Sequence, residues 1–194
     1  MRLIHLSDTH GLHEQLLDLP KEADIVAHTG DITENGTIEE AEGFIEWFCS
    51  LPYRHKIFIA GNHDLCLYGA NIEGLPDNVH YLCNEAITID GIKFYGVPMF
   101  LQDDLEGNFP DLYSRIPDDT DVLLTHQAPL GILDEQDGIN FGDYYLYKRV
   151  IEIKPKYHLF GHLHHTEKTR MTFRGVRFSN AAGGKYGRFE LLKI

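Results

Sequence analysis

The stretch KIFIAGNHDL, Lys56 to Leu65, joins an apolar run to three polar side chains across a single glycine. The residues from Ile57 to Ala60 are typical of a buried strand. Asn62, His63 and Asp64 follow at once, and each can bind a metal ion or carry a proton, although each is costly to bury without a partner. The pattern therefore predicts a strand whose end delivers polar groups to a functional site.

The same arrangement recurs at five predicted strand ends. The segments are IHLSDTH, IVAHTGD, IFIAGNHD, VLLTH and YHLFGHLH. In open α/β sheets ligands bind beyond the carboxyl ends of the strands, where loops from different strands meet, so we expect these polar groups to share one site. The candidate metal ligands are Asp8, His10, Asp31, Asn62, His126, His162 and His164.

The spacing and chemistry of this set suit metal binding. Asp8 and His10 are two residues apart, as are His162 and His164, so in an extended segment each pair projects to the same side. The candidates are too many for one tetrahedral ion, and they suit two ions about 3.5–4 Å apart that share a carboxylate. The set contains no thiolate, which disfavours a structural zinc site.

Apolar runs and helical periodicities alternate along the chain, which predicts an α/β layered core. The predicted core strands are Arg2–Leu6, Asp24–Ala27, Lys56–Ala60, Asp121–Leu124 and Tyr157–Phe160, and the clearest helices are Thr37–Cys49 and Tyr144–Ile153. Hairpin signals at Asp90-Gly91 and Arg174-Gly175, with a final strand at Phe189–Ile194, predict antiparallel strands that extend the parallel part or form a second sheet.

Length and composition set limits on the class of protein. The 194 residues, of which 43% are hydrophobic, predict a single domain spanning residues 1–194. The net charge of −13, from 17 basic and 30 acidic residues, argues against a long nucleic acid as partner. The chain has no signal-like or membrane-spanning apolar run, so we expect a soluble cytoplasmic protein without a membrane partner. Cys49, Cys66 and Cys83 are expected to be reduced and mostly buried.

The ordered motifs D-x-H, G-D, G-N-H-D, T-H and G-H-x-H resemble those of the calcineurin-like metallophosphoesterases, from Asp8 to His164. The stretches LSDTHG, GNHD, GILD and KPKYHLFGHLH are most similar to the small metallophosphoesterase-domain-containing, cyclic nucleotide phosphodiesterase-like proteins. The resemblance implies a metallo-dependent phosphatase-like fold. This is a layered α/β/β/α sandwich with mixed sheets, classed as α/β and in some schemes as α+β.

The resemblance also implies individual roles. The implied ligands of the first ion are Asp8, His10 and His164. The implied ligands of the second ion are Asn62, His126 and His162, with Asp31 bridging the two. His63 is implied as the proton donor near the leaving group, and Asp64 as the residue that orients its ring. The implied cofactors are two divalent ions, with Mn²⁺ expected first and Fe, Zn, Ni, Co or Mg as alternatives.

The implied activity is hydrolysis of a small phosphate ester through attack of a metal-bound hydroxide on phosphorus. A phosphodiester such as a cyclic nucleotide is the expected substrate, with mono- against diester preference, native metal and oligomeric state left open. The alternative is a catalytically weak, metal-binding interaction scaffold of the same fold, although such a scaffold should show broken motifs and every ligand position here is filled. GDITENG lacks the arginine that follows G-D in serine/threonine protein phosphatases, which disfavours that activity.

Several residues near the motifs carry no assigned role. His28 is expected to be a packed imidazole or one that contacts a ligand, and the roles of His13 and His165 stay open. Two long aromatic segments either cap the core, which we favour, or stack a flat leaving group such as a base. Their aromatic residues include Phe100, Phe109, Tyr113, Phe141 and Tyr144.

Overall fold

Two mixed β-sheets lie at the centre of the computed structural model, which describes residues 1–164 and 169–194. The strands in these residues are β1 (Arg2–Leu6), β2 (Ile25–Thr29), β3 (His55–Ile59), β4 (Val79–Tyr81), β5 (Glu85–Ile89), β6 (Ile92–Val97), β7 (Val122–Thr125), β8 (Glu135–Gln136), β9 (Ile139–Asn140), β10 (Tyr157–Phe160), β11 (Arg170–Phe173), β12 (Val176–Asn180) and β13 (Glu190–Lys193). The α-helices in the same residues are α1 (Ile38–Ser50), α2 (Leu101–Glu106), α3 (Phe109–Ser114) and α4 (Tyr144–Ile153).

Each main sheet has a parallel core with antiparallel strands at its edges. The first has the order β13-β1-β2-β3-β4, in which only β13 is antiparallel to its neighbour. The second has the order β11-β12-β10-β7-β6-β5, in which the outer strands β11 and β5 are antiparallel. Those outer strands belong to the hairpins predicted at Asp90-Gly91 and Arg174-Gly175, which confirms the antiparallel extension.

Helices cover the outer face of each sheet, and the inner faces pack on each other. Leu3 and Ile57 of the first sheet lie in one buried cluster with Val122 and Leu159 of the second. The outer face of the first sheet packs against α1, and that of the second packs against α3 and α4. This α/β/β/α sandwich with mixed sheets confirms the predicted fold class.

Helix α1 begins one residue after the predicted start because Thr37 is its N-cap. The Thr37 hydroxyl accepts a hydrogen bond from the Glu40 backbone N–H, and the Glu40 carboxylate accepts one from the Thr37 N–H, both at 3.2 Å. Such a cap typically stabilises a helix by about 1 kcal/mol. The helix packs on the sheet through its buried residues Ala41, Phe44 and Phe48. Helix α4 has its predicted bounds and ends before Pro155.

Two expectations from composition can be compared with the structure. The three cysteines are free thiols, as expected, and each is only partly buried. In the described part of the chain, every helix is too short or too polar to cross a lipid bilayer.

Among the described residues, three completely buried histidines lie outside the set of candidate metal ligands. His5 lies between the sheets, where Nδ1 is 2.9 Å from the Ser179 hydroxyl and Nε2 is 3.0 Å from the Thr29 hydroxyl. His158 contacts the Thr125 hydroxyl through Nε2 at 2.8 Å, and His28 packs against Phe44 of α1. Burial lowers the pKa of each of the three to about 3, so each is neutral near pH 7.

We predict that the cost of replacing His158 depends on pH. In the unfolded chain this imidazole takes up a proton near pH 6.5, whereas in the fold its pKa is lowered to about 3. The contribution of the neutral His158 ring to the free energy of unfolding is therefore fully present above pH 6.5. It is lost as the pH falls, by about 1 kcal/mol between pH 6.5 and 5.5. Urea unfolding in EDTA should show a stability gap between wild type and His158→Gln that narrows by that amount. A gap independent of pH would contradict a neutral, buried His158.

Candidate metal centre

The candidate ligands follow the carboxyl ends of parallel strands and converge where the two sheets meet. The first sheet supplies Asp8 and His10 after β1, Asp31 after β2 and Asn62 after β3; the second supplies His126 after β7, and His162 and His164 after β10. Nε2 of His164 lies 2.9 Å from Oδ1 of Asp8, and Nε2 of His126 lies 3.3 Å from Oδ2 of Asp31. Both contacts join a residue of one sheet to a residue of the other.

Donor atoms of the predicted ligands form two groups that each could hold an ion, and one donor atom from each of His10, Asp31 and His63 forms a further group. In the first group, one donor atom from each of Asp8, His10 and His164 lies within 4.8 Å of the others. In the second group the same holds for Asp31, His126 and His162, and Oδ1 of Asn62 lies 3.0 Å from Nε2 of His126. His162 and His164 therefore divide between the two groups, whereas Asp8 and His10 share one.

Asp31 lies between the two groups. Its Oδ2 is 3.8 Å from Nε2 of His10 in the first group and 3.3 Å from Nε2 of His126 in the second. Its Oδ1 accepts a hydrogen bond from the His63 backbone N–H at 2.9 Å, which fixes the rotation of the carboxylate. This geometry allows a single carboxylate oxygen to face both groups, as a bridging ligand does.

The chain turns sharply at four of the candidate ligands, so the prediction of extended ligand segments is wrong. Asp8, His10, Asp31 and His162 have φ angles of 57°, 46°, 55° and 68°, in the left-handed region. That conformation costs about 1 kcal/mol or more for each residue other than glycine. Hydrogen bonds from Asp8 N to Gly30 O at 2.9 Å and from His10 N to Asp31 O at 3.0 Å hold two of these turns.

Glycines let the strand ends approach one another closely. A Cβ atom on Gly161 would overlap the Ser7 hydroxyl and the Asp8 carboxylate, and one on Gly61 would overlap the Asp31 carboxylate. Gly30, which precedes Asp31, has a φ of 100° and lies against the Gly61 backbone and the His126 ring. These glycines therefore allow close packing around the two carboxylates.

The charge and spacing of the donor set fit divalent cations. Both ring nitrogens of His10 are buried and make no hydrogen bond with the described residues, and Nε2 lies 3.8–3.9 Å from the Asp8 and Asp31 carboxylates. Such separations suit ligands about 2.0–2.2 Å from one shared ion better than atoms bonded to each other. Burial alone would lower the pKa of His126, but Asp31 raises it to about 10, so the carboxylates strongly favour a positive charge here.

His126 is oriented by the backbone of the first sheet. Its Nδ1 is 2.8 Å from the Thr29 carbonyl, which requires the N–H on Nδ1 and leaves Nε2 facing Asp31 and Asn62. Such a bond on the far nitrogen is typical of metal-binding histidines. The sequence analysis missed Thr29, and the only available signal was its position two residues before Asp31.

The predicted contact between Asp64 and the His63 ring is wrong. Asp64 is completely buried, and its carboxylate accepts hydrogen bonds from the backbone N–H groups of Ile32, Thr33 and Gly61 at 2.8–3.2 Å. Asp64 therefore ties the loop after β2 to the loop after β3. Nδ1 of His63 is instead 2.8 Å from the Glu34 carbonyl, and its ring lies edge-on to His10 at 4.8 Å.

The histidines and aromatic residues whose roles were left open lie in different environments. His13 packs against Trp47 of α1, with 5.0 Å between ring centroids, and His28 is buried against the same helix. His165 lies outside the described residues. Phe100, Phe109 and Tyr113 are buried, which confirms core capping for these three. Phe141 and Tyr144 are about half exposed and do not cap the core.

The chain is similar to known proteins along most of its length. The family model described as calcineurin-like phosphoesterase matches residues 1–166. The chain belongs to the calcineurin-like phosphoesterase family. The resemblance seen in the five motifs is thereby confirmed.

Relatives within the family include proteins of animals. The chain is 37% identical over 213 residues to UPF0046 protein C25E10.12 of Caenorhabditis elegans, covering 94% of this chain and 75% of the relative. It is 32% identical over 200 residues to metallophosphoesterase domain-containing protein 1 of Homo sapiens, covering 84% of this chain and 60% of the relative. It also spans 63% of UPF0046 protein K07C11.7 of Caenorhabditis elegans, at 34% identity and 84% of this chain.

Solved structures share the fold at low sequence identity. TT1561 of Thermus thermophilus superimposes with a TM-score of 0.70 at 14% identity, covering 99% of this chain and 98% of that protein. GAP50 of Plasmodium superimposes with a TM-score of 0.58 at 13% identity, covering 95% of this chain and 72% of that protein. At these identities the comparison supports the metallophosphoesterase-like fold only.

Proposed function

We propose that this protein is a dinuclear metal-dependent phosphoesterase that hydrolyses a small phosphate ester. The observation that carries the proposal is the position of the Asp31 carboxylate between two groups of buried oxygen and nitrogen donors. Two-metal hydrolases use such an arrangement to act on both the attacking and the leaving oxygen of a phosphate. Membership of the calcineurin-like phosphoesterase family supports the same activity.

The proposed ligands follow the two groups of donor atoms. Asp8, His10 and His164 would hold the first ion. Asn62, His126 and His162 would hold the second, with Asp31 shared by both. The ions, when bound, would neutralise the phosphate and lower the pKa of a coordinated water toward about 7. Mn²⁺ is the ion that we expect first from the family resemblance; the carboxylate donors suit Mn²⁺, and the imidazole donors also suit Fe²⁺, Zn²⁺ and Ni²⁺.

The chain's own residues would orient these groups and move a proton. Thr29 fixes the ring of His126 through its carbonyl, and the His63 backbone N–H fixes the Asp31 carboxylate. The His63 ring stands beside His10 with Nδ1 directed at the Glu34 carbonyl, so its Nε2 is the nitrogen that would donate a proton to the departing oxygen. Asp64 would act indirectly, because it holds the loop that carries His63.

The proposed substrate is small, and a phosphodiester such as a cyclic nucleotide is our first choice. The net charge of −13 disfavours an extended phosphate backbone, which needs clustered lysines and arginines. A single phosphate can still bind, because divalent ions are often the largest local charges in a site. Related proteins named for a metallophosphoesterase domain support the substrate class, without distinguishing monoesters from diesters.

Hydrolysis of bis(4-nitrophenyl) phosphate beside 4-nitrophenyl phosphate tests the proposal. Protein stripped of metal should be inactive, and titration with Mn²⁺ should restore turnover that favours the diester. A preference for the monoester would overturn the diesterase part alone. Failure of both substrates with Mn²⁺, Fe²⁺, Zn²⁺, Ni²⁺, Co²⁺ and Mg²⁺ would contradict the enzymatic proposal and favour an interaction scaffold of the same fold.

A further inference from the structure

Glu34 contacts two residues of the candidate metal centre at once. Its Oε2 lies 3.1 Å from Nδ1 of His10, and its backbone carbonyl lies 2.8 Å from Nδ1 of His63. The side chain is 55% exposed, whereas that of His10 is 5% exposed, so the carboxylate approaches the centre from the solvent side. We infer that Glu34 is a positioning residue that orients His10 toward the first metal ion, an inference that rests on the proposed function.

Carboxylates face both ring nitrogens of His10, but at different distances. Nδ1 faces Glu34, while Nε2 faces the carboxylates of Asp8 and Asp31 at 3.9 and 3.8 Å. A carboxylate beside Nδ1 favours the tautomer with its proton on that nitrogen, which leaves the Nε2 lone pair for a cation. Carboxylates placed in this way orient metal-binding histidines and increase their basicity. The Thr29 carbonyl makes a hydrogen bond to Nδ1 of His126, whereas Glu34 makes an ion-pair contact with Nδ1 of His10 without hydrogen-bond geometry, so its influence on His10 is that of a nearby negative charge.

The two groups of donor atoms differ in the contact made by Nδ1 of their histidines, His126 and His10. His126 of the second group is held by a neutral carbonyl that belongs to β2, deep in the sheet. His10 of the first group is in ion-pair contact with a charged side chain at the solvent edge. Loss of the Glu34 carboxylate should therefore lower the affinity of the first group for its ion and leave the affinity of the second group unchanged.

The backbone of Glu34 is held from both sides independently of its side chain. On one side, Asp64 binds the N–H groups of Ile32 and Thr33. On the other, Asn35 donates to the Glu40 carboxylate through its backbone N–H and its side chain, both at 3.0 Å. A side-chain substitution at Glu34 should thus preserve the carbonyl that contacts His63, and it separates the effect on His10 from any effect on proton donation.

Mn²⁺ binding measured by the electron paramagnetic resonance of the free ion tests this role. Wild type, Glu34→Ala, Glu34→Gln and Glu34→Asp are titrated beside Glu42→Gln, an exposed residue of α1 whose substitution removes the same charge. In Glu34→Ala one of two ions should bind about 10- to 100-fold more weakly, with the other unchanged. Glu34→Gln and Glu34→Asp should restore part of the affinity, and excess Mn²⁺ should restore the turnover number of all three variants.

The outcomes separate this inference from the proposed function. Wild-type affinity for both ions in Glu34→Ala would overturn the role of Glu34 while leaving the two-metal site intact. An equal loss of affinity for both ions in Glu34→Ala, or the same loss in Glu42→Gln, would also overturn it, because the effect would then not be specific to His10. Wild-type protein that binds no Mn²⁺ would instead contradict the proposed function itself.

Discussion

Asp31→Asn is expected to lose more than about 10³-fold in kcat/KM and to retain fewer than two bound ions, because Asp31 is the residue shared by both halves of the centre. The amide keeps the shape of the side chain but removes the charge from the oxygen that lies 3.8 Å from His10 and 3.3 Å from His126. Turnover of bis(4-nitrophenyl) phosphate and metal content after dialysis against Mn²⁺ give the two measurements. The matched control is Asp18→Asn, an exposed aspartate in the turn before β2.

A third readout of Asp31→Asn does not involve metal or substrate. In the metal-free protein, burial opposes the charge on His126, and Asp31 is the largest influence that raises its pKa. Removing the carboxylate charge should therefore lower the pKa of His126, which can be followed by NMR of the imidazole. A variant that keeps two ions and the wild-type rate would contradict the shared role of Asp31, and an unchanged His126 pKa would contradict the close contact between the two side chains.

The layout of the fold could be predicted because its signals are local. Each core strand is a short apolar run, and each hairpin has its own turn residues, so bounds such as Arg2–Leu6 and Tyr144–Ile153 match the structure. The convergence of polar residues followed from the rule that ligands bind at the carboxyl ends of parallel strands. That rule needs only the order of strands and polar residues along the chain.

The details of the centre depend on contacts between distant parts of the chain, which short sequence patterns do not contain. The turn at His10 is held by the carbonyl of Asp31, and the Asp64 carboxylate is occupied by N–H groups about thirty residues earlier in the chain. The family resemblance implied that Asp64 orients the His63 ring, yet Nδ1 of that ring contacts the Glu34 carbonyl. His63 and Asp64 are neighbours in a turning loop, and their side chains contact different backbone groups of the loop after β2.

His63→Ala is expected to slow hydrolysis in proportion to how much the leaving group needs a proton. For a diester with an alkoxide leaving group, such as cyclic AMP, the turnover number should fall about 10²- to 10⁴-fold, the usual contribution of a general acid. For bis(4-nitrophenyl) phosphate the fall should be less than about 10-fold, because 4-nitrophenolate leaves without protonation. Both turnover numbers are measured at saturating Mn²⁺, with His80→Gln as a control at a half-buried histidine of β4.

The difference between the two substrates is what identifies a proton donor. If His63 were mainly a metal ligand, as its proximity to His10 and Asp31 also allows, its loss would slow both substrates equally and lower the metal content. If His63 were only a packing residue, the His63→Ala variant in excess Mn²⁺ would hydrolyse both substrates at the wild-type rate. The contact of the His63 Nδ1 with the Glu34 carbonyl favours proton donation, because it leaves Nε2 as the nitrogen available to the leaving oxygen. A selective loss with cyclic AMP at full metal occupancy is therefore the result that this geometry predicts.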